Sequence, residues 1–172
     1  MDITQLILDD HYEQRRLFAI LEQVADRDRV TAGEVWSRLA AFLELHAAAE
    51  EQIFYPALIR AGLRSGHTKD VEGETFDAIK DHNEIRDTAA DVDRLEVGSP
   101  QWFEAIAACN RANSDHMAEE ERQGLTDFRR HADRELRHRL AVLFLQFESE
   151  HLTGDGVEPV DRNVDSYILE NS

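Results

Sequence analysis

His46-Ala47-Ala48-Ala49-Glu50-Glu51 and, seventy residues later, His116-Met117-Ala118-Glu119-Glu120-Glu121 each set a histidine and a glutamate four residues apart within helix-forming sequence. On a helix that spacing stacks the two side chains on one face. The face is an apolar one. Around the first pair run Val35, Leu39, Phe42, Ala49 and Ile53, and around the second Trp102, Ile106, Cys109 and Asn113, all at helical spacing. Charged groups at core positions are rare unless something pairs them.

Working outward, each pair is preceded by a stripe that carries one more histidine. His11 lies on Ile3, Ile7, Phe18 and Leu21, and His82 lies on the stretch before the second pair. The offsets agree: 71 from His11 to His82, 70 from His46 to His116 and 70 from Glu50 to Glu120. Four helices therefore each aim ligands inward. The expected elements are a first helix over Ile3 to Ala25 and a second opened by a Thr31–Glu34 capping box. The second ends near Gly62, with a kink at Pro56. Gly62, Gly66 and Gly73 mark Leu63 to Gly73 as a connection, followed by a third helix over Glu74 to Leu95. Val97-Gly98-Ser99-Pro100 breaks the chain, with Ser99 as cap and Pro100 at the first position of a fourth helix that ends close to Gly124. A fifth runs over Ala132 to Glu150, with Leu136, Leu140, Leu143 or Phe144, and Phe147 as its apolar face; the rest reads as an extended tail docked by Tyr167, Ile168 and Leu169. The expected fold is all-α: an up-down-up-down four-helix bundle over residues 1–152 with an additional C-terminal helix, and a tail over 153–172.

The bulk numbers agree with this and exclude some partners. A chain of 172 residues with 8 Gly and 3 Pro suits one helical domain. A net charge of -17 repels phosphate backbones and anionic headgroups, so neither nucleic acid nor a membrane is expected as a partner. The N-terminal residues lack a signal-peptide pattern and no stretch is apolar enough to span a bilayer, so a cytoplasmic location is expected. The single Cys109 is expected to be a buried, inert thiol.

Burial alone does not hold two carboxylates and four imidazoles in an apolar bundle, whereas a pair of divalent cations satisfies all of them together. The expected ligands are His11, His46, Glu50, His82, His116 and Glu120, with Glu50 and Glu120 bridging and open positions left for water or oxygen. A mixed nitrogen and oxygen site with vacancies fits iron, and manganese shares the ligand type. Around the set, Arg15 and Arg86 repeat at an offset of 71 and are candidates either to orient it through carboxylates or to serve on the surface or between helices. Tyr12 and Tyr55 are expected to pack, or to offer a phenol to the site. Glu51, Glu119 and Glu121 are assigned to the solvated surface, and His67, His131, His138 and His151 to ordinary solvated positions.

The strings Asp10-His11-Tyr12-Glu13-Gln14-Arg15, His46 to Pro56, Asp81-His82-Asn83-Glu84-Ile85-Arg86 and His116 to Glu121 resemble the hemerythrin family in its HHE cation-binding branch, over about residues 3 to 150. The resemblance implies a non-haem di-iron centre, oxo- or hydroxo-bridged, with the six residues above as ligands. Oxygen-carrying hemerythrins have an HxxxH pair on the third helix and a final aspartate, where this chain has Arg86 after His82 and Glu120. Iron-sensing relatives carry a glutamate where Ala47 stands. The chain resembles instead bacterial hemerythrin-like proteins with four histidines and two glutamates, which implies dioxygen or peroxide as ligand and catalase-like peroxide decomposition as activity. A binding or sensing module without turnover is the alternative, and an oxygenase would need a pocket beside the metals.

Overall fold

The computed structural model describes residues 1–24, 28–65, 68–152, 156, 157 and 159–172, with the backbone alone described at 63–65 and 68–70. Ala25, Gly66, His67 and Thr153 lie outside the described residues. Among those residues the chain is all-helical, in eight α-helices. They are α1 (Ile3–Val24), α2 (Arg29–Ala49), α3 (Tyr55–Ser65), α4 (Thr68–Asp93), α5 (Pro100–Arg122), α6 (Gly124–His131), α7 (Arg134–Glu150) and α8 (Val164–Asn171). A π turn, Glu50–Phe54, joins α2 to α3.

Caps start these helices as the side chains dictate. Ser99 accepts from Trp102 N–H with Pro100 behind it, and Gly98 at φ 75° supplies the left-handed residue of the preceding turn. Asp28, not Thr31, caps α2: it accepts from the Val30 and Thr31 backbone and from the Thr31 hydroxyl, so the expected capping box is displaced by the better acceptor three residues earlier. The expected connection up to Gly73 is helical from Thr68, because Val71, Thr75 and Ile79 bury one face and outweigh a glycine cost of about 1 kcal/mol. Gly62 permits the crossing, since a Cβ there would lie 2.8 Å from Val71 Cγ2.

At Pro56 the disturbance of the helix takes the form of a π turn. The Tyr55 N–H reaches back five residues to the Glu50 carbonyl, and the inserted residue rotates the downstream face by about 100°. Phe54, Tyr55 and Leu58 are buried as a result, while the expected Ile53 is only half-buried. Glu51 loses both regular helical donors: Tyr55 N–H is taken by Glu50, and Pro56 has none. The Tyr167 hydroxyl donates to that Glu51 carbonyl instead. The expected extended tail is corrected accordingly. Asn163 caps a helix, α8, which packs on α3 and α4 with Tyr167 buried and Leu169 exposed.

Two apolar clusters divide the interior. One gathers Ile3, Ile7, Phe54, Leu58, Ile79, Phe128 and Phe144; the other gathers Leu17, Phe18, Leu39, Leu43, Ile85, Trp102 and Cys109. Along α1, α2, α4 and α5 the two clusters leave a gap between them. His11, His46, His82 and His116 fall in it.

Candidate metal centre

All six expected ligands are buried, none more than 5 % exposed. His11, His46 and Glu50 form one group whose ligand atoms lie within 4.8 Å of one another, and Glu50, His82 and His116 form a second. Glu50 is common to both. Its two oxygens lie 3.1 Å from His46 Nε2 and 3.3 Å from His82 Nε2. Glu120 is placed differently, with Oε2 3.3 Å from His11 Nε2 and Oε1 accepting a 2.8 Å hydrogen bond from the Tyr55 hydroxyl. His82 and His116 bring their Nε2 atoms within 3.1 Å.

The outer nitrogens face carboxylates. His11 Nδ1 lies 3.0 Å from Glu121, His46 Nδ1 3.0 Å from Asp10, His82 Nδ1 3.0 Å from Glu51 and His116 Nδ1 3.6 Å from Asp81. A carboxylate only accepts, so His11, His46 and His82 present an Nδ1 proton to Glu121, Asp10 and Glu51 and turn Nε2 toward the centre, while His116, 3.6 Å from Asp81, lies beyond hydrogen-bond length. Carboxylate–histidine pairs of this kind fix the tautomer and ring direction of metal-ligating histidines. Arg15 and Arg86 hold the carboxylates, Arg15 on Glu121 at 2.8 Å and Arg86 on Glu51 at 2.8 Å.

Glu51 and Glu121 are therefore corrections. Glu51 is 2 % exposed and is gripped by His82, Arg86 and Arg162; Glu121 is half-buried between His11 and Arg15. The repeat already contained the signal, since Asp10 and Asp81 precede the lone histidines and Glu51 and Glu121 follow the ligand glutamates at the same offsets, 71 and 70. Arg162 in the tail had no such signal. Glu119 stays exposed as expected, Tyr12 is 72 % exposed and takes no part, and Cys109 is buried. Outside the centre, His131 and His138 are exposed, and His151 is half-buried with Nδ1 on the Phe147 carbonyl.

Electrostatically the frame is poised for cations. Burial opposes ionisation of Glu50, but His46 and His82 overcome it and hold its carboxyl well below the usual range. Burial likewise opposes a charged His82, and the neighbouring Glu50 and Glu51 carboxylates outweigh this, raising it to about 9. Burial followed by the Glu120 and Glu50 charges pushes the Tyr55 phenol well up, so it stays a neutral donor. On the outer side, burial and the Asp10 charge raise Glu148 of α7 to about 8.

The inner atoms are what require a partner. Nε2 of His11 and His46, both oxygens of Glu50 and Oε2 of Glu120 are buried without a hydrogen bond. Leaving so many polar atoms unsatisfied costs several kcal/mol. Imidazole and carboxylate donors converging on a common centre fit borderline to hard divalent cations, and such a cation would satisfy them together.

A helical bundle with buried His/Glu clusters of this kind belongs to the metal-binding bundles. The chain is a member of the hemerythrin family: the family model of the hemerythrin HHE cation binding domain matches residues 2–137. Comparison with curated proteins and with solved structures gives no match. The matched span takes in all six inner residues and their Nδ1 carboxylates, while Glu148, Arg162 and Tyr167 lie beyond it. Membership of this family implies metal binding, typically of iron. Among the described residues no helix is long and apolar enough to cross a membrane.

Proposed function

We propose that the chain is a non-haem di-iron protein, an up-down four-helix bundle whose His11, His46, Glu50, His82, His116 and Glu120 hold two iron ions and whose ligand is dioxygen or peroxide. The observation that carries this is the position of Glu50, shared by two histidine pairs with neither oxygen hydrogen-bonded. One carboxylate common to two ligand groups is the arrangement that suits two ions about 3.5–4 Å apart. The ions, when bound, supply a two-electron couple, enough to reduce one peroxide to water and oxidise a second to dioxygen.

The chain's own residues set the conditions. Glu121, Asp10 and Glu51 hold the His11, His46 and His82 rings at Nδ1, and the two apolar clusters keep bulk water out. Tyr55 keeps its proton and holds Glu120 at Oε1. Only a small molecule suits the opening beside Tyr55, His116 and Glu120, a cavity of ≈20 Å³ with room for about one water. That favours peroxide or dioxygen over bulkier substrates.

The test is iron-loaded protein given hydrogen peroxide. Oxygen evolution that is lost in His46→Ala and Glu120→Ala supports peroxide decomposition. Reversible optical change without turnover assigns the chain to the sensing alternative, and protein that takes up no iron under reducing conditions overturns both. A second reading, oxidation of an apolar organic molecule, draws on a cavity of ≈310 Å³ between α2 and α4, lined by Ala40, Ala47, Ala89 and Ala90 with His82 and Arg86. Its test is faster oxidation of the ferrous centre by dioxygen when a small apolar compound is added, abolished in Ala89→Leu.

A further inference from the structure

We infer that divalent cations reach the centre through an acidic mouth between α4 and α5, beside α3. Glu74, Asp77 and Asp81 stand on one face of α4, and Glu119 and Glu120 stand opposite on α5. They are graded by depth. Asp77 and Glu119 are exposed, Glu74 and Asp81 are half-buried, and Glu120, which also lines the opening, is buried with its Oε2 hydrogen-bonded to nothing. The carboxylates thus form a run from solvent to a residue whose inner oxygen faces His11 Nε2 at 3.3 Å without a hydrogen bond. Among the described residues, the arginine paired with an outermost acid is Arg122 on Glu119, at 3.3 Å between exposed groups, where screening leaves little net attraction.

The internal repeat shows that this acidity is not just a share of the -17 charge. At the same offsets in the first half, Glu74 corresponds to Ile3, Asp77 to Leu6, Glu119 to Ala49 and Gly124 to Phe54. Ile3, Ala49 and Phe54 are fully buried, and α7 packs over that side with Ala141 and Phe144. One doorway is therefore sealed with apolar side chains, and its counterpart is open and lined with carboxylates. Gly124 keeps it open: a Cβ at that position would already lie 3.5 Å from Glu120 Cγ, and a longer side chain would fill the neck.

A cleft of one sign between low-dielectric walls focuses the field and raises the on-rate of counter-ions by roughly 10- to 10³-fold, with steep salt dependence. At the neck a hydrated ion must shed water, because the cavity of ≈20 Å³ holds about one. The carboxylate oxygens replace the lost waters as the ion passes.

This inference rests on the reading that the centre takes metal, and kinetics separates the two. Full-length metal-free protein is mixed anaerobically with ferrous iron at low salt, and unbound ion is trapped with a colorimetric chelator at successive times. D77K/E119K is compared with D91K/E104K, which changes the charge equally at exposed positions outside the mouth. The expected result is loading slowed by ~10-fold or more in the first and by less than ~2-fold in the second, with final iron content unchanged in both. The gap should close at ~0.5 M salt. Asp77→Asn with Glu119→Gln gives a smaller slowing in the same direction and serves if the lysine pair does not fold. Equal slowing in both lysine variants, or loading of the mouth variant at the parental rate, overturns the route while leaving the centre intact. A parental chain that takes up no iron overturns the centre and the route together.

Discussion

The α1–α2 half and the α4–α5 half carry the same ligand pattern but are supported differently. In the first, His11 leans on Glu121, whose partner Arg15 has a side chain 43 % exposed, and His46 leans on Asp10 beside the carboxyl of Glu148. In the second, His82 leans on Glu51, which is buried and held by Arg86 and Arg162, with the Tyr167 hydroxyl on its backbone. A repeated sequence thus fixes which atoms face the centre. How firmly they are held depends also on Glu148, Arg162 and Tyr167, which have no place in the repeat.

The largest expected effect tests what the halves share. Glu50→Ala removes the carboxylate common to both groups, and metal analysis after reconstitution should show iron content falling from about two ions to below one. His11→Ala and His82→Ala should each leave about one. Equal iron content in Glu50→Ala and the parent would break the comparison at its root.

Next come the two arginines that stand at matching positions. Arg86 is 6 % exposed at the side chain between half-buried Glu44 and buried Glu51, so Arg86→Ala removes the partner of one and a partner of the other and should cost about 3 kcal/mol in denaturant unfolding. Arg15→Ala removes a pair in contact with solvent and should cost less than ~1 kcal/mol. The carboxylates they hold should follow the same order. Glu51→Gln is expected to weaken metal affinity ~100-fold and Glu121→Gln ~10-fold, by competition with a chelator.

The smallest effect is a pH dependence confined to the metal-free protein. His82 binds its proton more tightly folded, at about 9, than unfolded, at 6.5. Its contribution to stability is therefore complete below pH 6.5 and is lost as the pH rises through 9. The metal-free Tm should fall over that window, while the loaded protein, in which metal has replaced the proton, should not follow it; loading at about pH 7 should release protons, seen as buffer-dependent heats.

Much of the centre was legible because helical spacing constrains it: Ile3, Ile7, His11, Phe18 and Leu21 share a stripe, and all are buried. Trp102, Ile106, Cys109, Asn113, His116 and Glu120 do the same on α5. Glu51 and Glu121 were missed because a residue one step past a ligand lies about 100° off its stripe. In a bundle the buried face is wide enough to include it. The π turn was illegible, since Pro56 signals only that a regular helix is disturbed. Arg162 and Tyr167 reach Glu51 across more than a hundred residues, a closeness that local pattern does not encode.

Deleting Gln52, exposed within the turn, would set α3 back by one residue relative to α2. Every side chain beyond the deletion would then swing by about a quarter-revolution, carrying the Tyr55 oxygen away from Glu120 and the Phe54 ring away from Phe128. A single surplus amino acid is what turns a phenol toward Glu120 on this side of the centre.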